Sequence, residues 1–209
     1  MPAPQVNDVA AILLAAGRSR RMGAFKPLLP FGNKTVVEQC VANLCEAGVQ
    51  NILVVVGHRA DDVREQLKNH HVQFVLNPDP DSEMSASIAC GVVQVDEKTK
   101  ALLICLVDHP AVPPEVINLL INEWRSGDGK LFQPEHAGRG GHPVLIDLTY
   151  RDELMKLDPE RGLRAFFDRH GDERRRLPVA SRFVARDMDT WEDYEALHEE
   201  VFGARPKSF

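Results

Sequence analysis

Unbroken apolar runs of strand length, separated by stretches with helical spacing, dominate the first half of the chain. Val9–Ala15, residues 52–57 and residues 101–107 contain no charged or amide side chain. A strand with one solvated face alternates apolar and polar residues, whereas an unbroken run belongs to a strand covered on both faces. In order, the sequence predicts a strand at Val9–Ala15, a helix over 36–47 ending at Gly48, a strand at Asn51–Val56 and a helix over 60–68. A strand over 72–76, a helix over 85–95, a strand over 101–107 and a helix over 113–125 follow, the last with proline in its first turn. Strands alternating with helices pair in parallel, and their crossovers cover both faces. The expected class is α/β: a Rossmann-like three-layer α/β/α sandwich with a mostly parallel central sheet. Ligands of such sheets bind beyond the carboxyl ends of the strands.

The second half is less regular. Residues 130–133 and 143–147 read as strands around a glycine-rich turn, Gly138-Arg139-Gly140-Gly141-His142. Residues 150–157 and 162–170 read as helices and 184–188 as a last short strand. Thr190, with Asp193 three residues on, predicts a capped final helix. No repeat, low-complexity tract or linker divides residues 1–209, so one domain is expected.

Composition narrows the partners. With 44% hydrophobic residues in 209, the chain can bury a full core, and no run approaches the roughly 20 apolar residues that span a bilayer. The start lacks a basic segment ahead of an apolar one, and Cys40, Cys45, Cys90 and Cys105 form no C-x-x-C pair. Buried free thiols in a reducing, cytoplasmic setting are the expectation. A net charge of −6 argues against nucleic acid as a partner. Residues 1–37 nevertheless hold Arg18, Arg20, Arg21, Lys26 and Lys34 against the single acid Asp8. A local basic cluster in an acidic chain points to a small anionic ligand.

That cluster sits in the loop after the first strand, Gly17-Arg18-Ser19-Arg20-Arg21-Met22-Gly23-Ala24-Phe25-Lys26. Gly17 and Gly23 permit tight turns, successive backbone N–H groups can cradle phosphate oxygens, and Arg18, Arg21 and Lys26 add charge. No Gly-Lys-Ser/Thr follows and the spacing is not G-x-G-x-x-G, so both common nucleotide motifs are excluded. Asp108 ends the most apolar strand, at the expected ligand edge. One or two carboxylates with phosphate oxygens and waters suit Mg²⁺. Asp189 is the candidate second ligand and Asp187 its competitor, while a turn or a cap explains such aspartates equally well.

The stretch from Leu14 through Ala15, Ala16, Gly17, Ser19, Arg21, Met22, Gly23 and Lys26 to Pro30 resembles the signature of the MobA-like nucleotidyltransferases. Similarity continues at Asn77-Pro78, Met84-Ser85-Ala86-Ser87, Leu106-Val107-Asp108, Gly141-His142-Pro143 and Asp187-Met188-Asp189-Thr190. The resemblance implies a nucleotide-diphospho-sugar-transferase-like fold. It implies a nucleotide-binding half over 1–110 and an acceptor-binding half over 111–209. It also implies Mg²⁺-dependent transfer of a nucleoside monophosphate to a phosphorylated acceptor, with pyrophosphate released.

On that resemblance Lys26, Arg21 and Asp108 are catalytic, and Asp108 and Asp189 bind metal. Leu14, Ala15, Ala16, Gly17, Arg18, Ser19, Met22, Gly23, Lys26, Asn77, Ser85 and Ser87 contact the nucleotide. The Ala15-Ala16-Gly17 form is similar to the cytidylyltransferase branch, which favours CTP over GTP. A methyl group near the base discriminates by only roughly 1–3 kcal/mol. Molybdopterin is the favoured acceptor, with sugar or polyol phosphates as rivals. A non-catalytic nucleotide-binding accessory protein, partnered with a molybdoenzyme or its maturation factor, is the competing class. Gly141 and His142 would leave room for a bulky acceptor, Arg164 would offer it a cation, and His109 is a structural histidine or an acceptor contact. Glu83 stands where relatives usually carry glycine, and a carboxylate there has to turn away from phosphates.

Overall fold

The structure is a computed structural model and describes residues 8–79 and 81–206. The chain runs β1 (Val9–Ala15), β2 (Pro30–Phe31), β3 (Lys34–Thr35), α1 (Val36–Glu46), β4 (Asn51–Val56), α2 (Ala60–Gln66), β5 (Gln73–Leu76), α3 (Met84–Gln94), β6 (Ala101–Leu106) and α4 (Pro114–Arg125). It continues through β7 (Leu131–His136), β8 (Arg139–Gly140), β9 (Val144–Asp147), α5 (Arg151–Leu154), α6 (Gly162–Arg169), β10 (Arg174–Pro178) and α7 (Trp191–Phe202).

The main sheet has the order β10-β7-β9-β6-β1-β4-β5, with β8 hairpinned onto β7. Strands β5, β4, β1 and β6 pair in parallel, β9 is antiparallel to both β6 and β7, and β10 is parallel to β7. One reversed strand, β9, is therefore inserted in an otherwise parallel path, with the short β8 antiparallel beside β7, as the mostly parallel expectation allows.

The unbroken apolar runs have the reason proposed for them. Every residue of β1 is buried. Val9, Ala11, Leu13 and Ala15 face one core with Val37, Val41 and Leu44 of α1, Val63 of α2 and Leu120 of α4. Ala10, Ile12 and Leu14 face a second core with Ile88 and Val92 of α3, Leu154 of α5 and Phe166 of α6. Each fully buried Leu or Ile contributes roughly 1.5–3 kcal/mol, so a strand feeding two cores is strongly fixed in register. A third cluster joins Met22, Leu29, Phe31 and Val36 to Met188, Tyr194 and Leu197. It clamps α7 across the β2–β3 ribbon, and the Tyr194 hydroxyl donates to the Pro30 carbonyl at 2.7 Å.

Three sequence expectations change. Residues 184–188 form no strand: Arg182–Ala185 is a 3₁₀ turn and extended chain follows. Val184 packs with Val112 and Val116, whereas Met188 packs with Tyr194, so their apolar spacing serves two separate contacts. Residues 150–157 hold only the four-residue α5, preceded by a 3₁₀ turn. Among the thiols, Cys45 is exposed, Cys40 and Cys105 are buried, and burial pushes the Cys105 pKa up to about 12.

Beside α5 and α6, both ring nitrogens of His170 face carboxylates, Nε2 to Glu153 and Nδ1 to Glu173, each at 3.0 Å. Arg169 approaches Glu153 at 3.7 Å, and the Tyr150 hydroxyl donates to Glu173. The hydrogen bond to Glu153, followed by the other carboxylate contacts, raises the His170 pKa against the effect of burial. A raised folded pKa stabilises the protein fully below the unfolded value of about 6.5 and stops doing so as pH climbs through the folded value. His170→Gln is therefore expected to cost about 1 kcal/mol at pH 6, or ~2–4 °C in Tm, and less at pH 9. Thermal melts of both proteins across pH check this, and a Tm gap that widens with pH contradicts it.

Candidate active site

The loop after β1 is bent by two residues in the left-handed region, Ser19 (φ 52°) and Gly23 (φ 72°). Glycine suits Gly23 because a side chain there is strained. Ser19 holds the loop's shape: its hydroxyl accepts from the Lys26 N–H at 3.1 Å, and its carbonyl accepts from the Met22 N–H at 3.1 Å. Phe25 is buried beneath the loop, with His58 edge-on at 5.7 Å and the Arg59 guanidinium 5.0 Å from its ring centre. His58 thus buttresses the loop from the sheet edge.

Above the carboxyl ends of β1, β5 and β6 lies an open cleft of about 290 Å³. Leu14, Ala16, Gly17, Ser19, Arg21, Lys26, Asn77, Ser87, Asp108 and Asp189 all line it. Lys26 is almost fully buried, and its ammonium lies between two carboxylates, 2.8 Å from Asp189 Oδ1 and 3.6 Å from Asp108 Oδ2. Arg21 reaches the other oxygen of Asp189 at 2.6 Å. The capping box of Thr190 and Asp193 fixes the start of α7, and with it the neighbouring Asp189. Asp187 is exposed and does not line the cleft, so Asp189 is the one placed opposite Asp108.

The loop carrying Asp108 is pinned from behind. Asn43 on α1 donates to the carbonyls of Pro110 at 2.9 Å and Val112 at 2.8 Å. Asp108 Oδ1 is buried with no hydrogen-bond partner, and the nearest ring nitrogen, His109 Nε2, stands 3.7 Å away. An unsatisfied buried carboxylate oxygen is costly. Two converging carboxylates, one with a free oxygen, form a hard-oxygen donor set that suits a divalent cation completed by phosphate oxygens and water. Among the described residues no cluster of three or more His, Cys, Asp or Glu side chains forms a closed cage.

Asn77 is nearly buried and organises the next loop. Its amide donates to Ser82 and Ser87, both at 2.9 Å, and its oxygen accepts from the Asp79 N–H at 3.1 Å. Glu83 is exposed and does not line the cleft, turned away as its charge requires.

Several candidates lie elsewhere. Met22 is buried against Met188 and Tyr194, so it anchors the loop. Ala15 faces the α1 core, and Arg18, Gly23 and Ser85 are not on the cleft wall. A Cβ added to Gly141 would sit 2.1 Å from the Val184 carbonyl oxygen, so that glycine makes room for the chain itself rather than for a ligand. His142 has its ring 5.5 Å from that of His109, and burial followed by the His109 charge pushes its pKa down to about 4. His109 and His142 line a small separate cavity with Cys40 and Cys105, and Arg164 is exposed on α6. The cleft wall also contains Arg20 and Met84, which the motifs include without assigning them a site role, and Asp79 and Ser82, which they do not single out. Asp79 and Ser82 follow Asn77 in the same loop, and that adjacency is the signal that would have found them.

Cations on a bent loop, facing paired carboxylates across the sheet edge, are the layout of a nucleotidyltransferase. Residues 11–174 match the family model of the MobA-like NTP transferase domain, and the chain belongs to that family. It is 27% identical over 142 residues to a molybdenum cofactor cytidylyltransferase of Escherichia coli K12, covering 68% of this chain and 71% of that one. It is also 27% identical over 199 residues to a protein of Paenarthrobacter nicotinovorans named nicotine blue oxidoreductase, covering 91% and 94%. Among solved structures, Rv0371c of Mycobacterium tuberculosis H37Rv matches with a TM-score of 0.83 and 27% identity over 92% of this chain and 97% of that one.

Proposed function

We propose that this nucleotidyltransferase moves a cytidylyl group from CTP to a phosphorylated, molybdopterin-type acceptor with Mg²⁺ as cofactor. The observation that carries the reading is Lys26, at the end of the glycine loop, held between Asp108 and Asp189. The Escherichia coli relative supports the acceptor class, and the Ala15-Ala16-Gly17 form supports CTP ahead of GTP.

An oxygen of the acceptor phosphate attacks the α-phosphorus of the triphosphate, the α–β bridging P–O bond breaks, and pyrophosphate leaves with the electron pair. No covalent intermediate on the protein is needed. Catalysis is alignment plus charge stabilisation. Backbone N–H groups between Gly17 and Gly23 orient the triphosphate. Lys26 and Arg21, released from Asp189, turn to its oxygens. Asp108 and Asp189 would hold the cation, which supplies charge neutralisation between phosphate oxygens. In this reading residues 1–110 bind the nucleotide, residues 111–209 face the acceptor, and a molybdoenzyme or its maturation factor receives the product.

Pyrophosphate release with molybdopterin and each of CTP, GTP, ATP and UTP tests the proposal. The expected result is Mg²⁺-dependent release led by CTP. Release led by GTP overturns the base assignment alone. Release with a sugar phosphate but not with molybdopterin overturns the acceptor assignment, and nucleotide binding without turnover favours the accessory-protein class.

A further inference from the structure

Every arginine of the glycine loop is already paired with a carboxylate of the chain. Arg21 is held by Asp189, which has a metal to bind in the reading above. Arg18 and Arg20 are held by a different group: both guanidinium groups converge on the carboxylate of Asp81, Arg18 at 3.1 Å on Oδ2 and Arg20 on Oδ1. These contacts join the loop after β1 to the loop after β5, 63 and 61 residues apart in sequence. Arg20, Asp79 and Ser82 line the cleft, so the Asp81 pairs lie at its rim.

A carboxylate, like a phosphate, offers arginine a pair of anionic acceptor oxygens for charge-assisted hydrogen bonds. We propose that Asp81 is an internal competitor for the nucleotide: it occupies Arg18 and Arg20 in the empty enzyme and yields them to phosphate oxygens when the triphosphate binds. The inference rests on the nucleotidyl-transfer reading and adds regulation of affinity to it. Asp81 itself is positioned from its own loop, its N–H donating to Asp79 Oδ1 at 3.0 Å, so changing its carboxylate leaves that turn intact. Its side chain is 57% exposed and that of Arg20 is 71% exposed. Exposed pairs are weak individually and screened by salt, so the competition is modest and depends on ionic strength.

The test compares Asp81→Asn with the wild-type chain by calorimetric titration with CTP and, separately, with inorganic tripolyphosphate, both with Mg²⁺. The substitution is expected to tighten binding of both probes by about three- to tenfold at low salt. The difference should shrink above about 0.15 M salt, where the screening length falls to ~8 Å. It should vanish when Arg18 and Arg20 are both replaced by glutamine, because the double-mutant comparison isolates the pairs. Equal or weaker binding by Asp81→Asn overturns the proposal, as does tightening that persists without the two arginines. Tripolyphosphate binding that tightens while CTP fails to bind sustains the competitor and overturns the nucleotide reading. Failure of both probes to bind overturns both.

Discussion

Replacing Lys26 by alanine is expected to lower turnover by about two to three orders of magnitude, the usual loss when one preorganised charge on a reacting phosphoryl centre is removed. Its position makes a second, separable effect. The Lys26 ammonium is the group between Asp108 and Asp189, and both carboxylates are about four-fifths shielded from solvent. Without it two like charges face each other with only Arg21 at the outer edge of Asp189. The metal-free variant should therefore melt several degrees below wild type, and added Mg²⁺ should recover more of that loss than it adds to wild type. Steady-state pyrophosphate assays and melts with and without Mg²⁺ check the two parts. Unchanged turnover removes Lys26 from the mechanism. A lower Tm that Mg²⁺ does not restore removes the cation from between the carboxylates.

Asp108→Asn is expected to lower Mg²⁺-dependent turnover by at least about a thousandfold, or ~4 kcal/mol of transition-state stabilisation. The amide keeps the shape of the carboxylate but supplies a single neutral oxygen to a hard cation. Lys26 retains its shorter contact, 2.8 Å to Asp189, so the fold should hold, with Tm close to wild type. Asn43 still clamps the loop behind it. The decisive measurement is the Mg²⁺ concentration giving half-maximal rate: it should rise steeply in the variant. An unaltered Mg²⁺ dependence at any rate would take Asp108 out of the metal site.

The parts of this molecule that were legible in its sequence are those whose residues answer to one neighbour on each side. Strand β1 is unbroken because alternate residues enter two separate cores, and its continuous run says so directly. Helix α7 opens where Thr190 and Asp193 place the cap. Strand β10, by contrast, reads Arg174-Arg175-Arg176-Leu177-Pro178 and carries no apolar signal. It pairs with β7 alone at the sheet edge, where arginines discourage further pairing. The ribbon of β2 and β3 has two residues per strand and is defined by what packs onto it. Of the cleft wall, Gly17, Arg21 and Lys26 were readable because they lie together in the loop after the first strand. The fates of Met22 and Gly141 were not, since each is decided by a distant partner: Met188 and Tyr194 for the first, the Val184 carbonyl for the second.

The contact between Lys26 and Asp189 spans 163 positions of the chain, and the hydroxyl of Tyr194 that helps seat α7 reaches back 164 positions to Pro30. Contacts of such separation are among the slowest to form, because loop closure must come before they add stability. During synthesis the glycine loop, Lys26 and Asp108 therefore emerge and pack long before their last carboxylate arrives. Until residues 186–202 dock, Lys26 has Asp108 as its single acidic neighbour and the cleft has half of its opposing pair. On the proposed reading, catalytic competence is acquired only when this last segment docks, and a nascent or clipped chain that already holds both sheet cores would still lack the second acidic group.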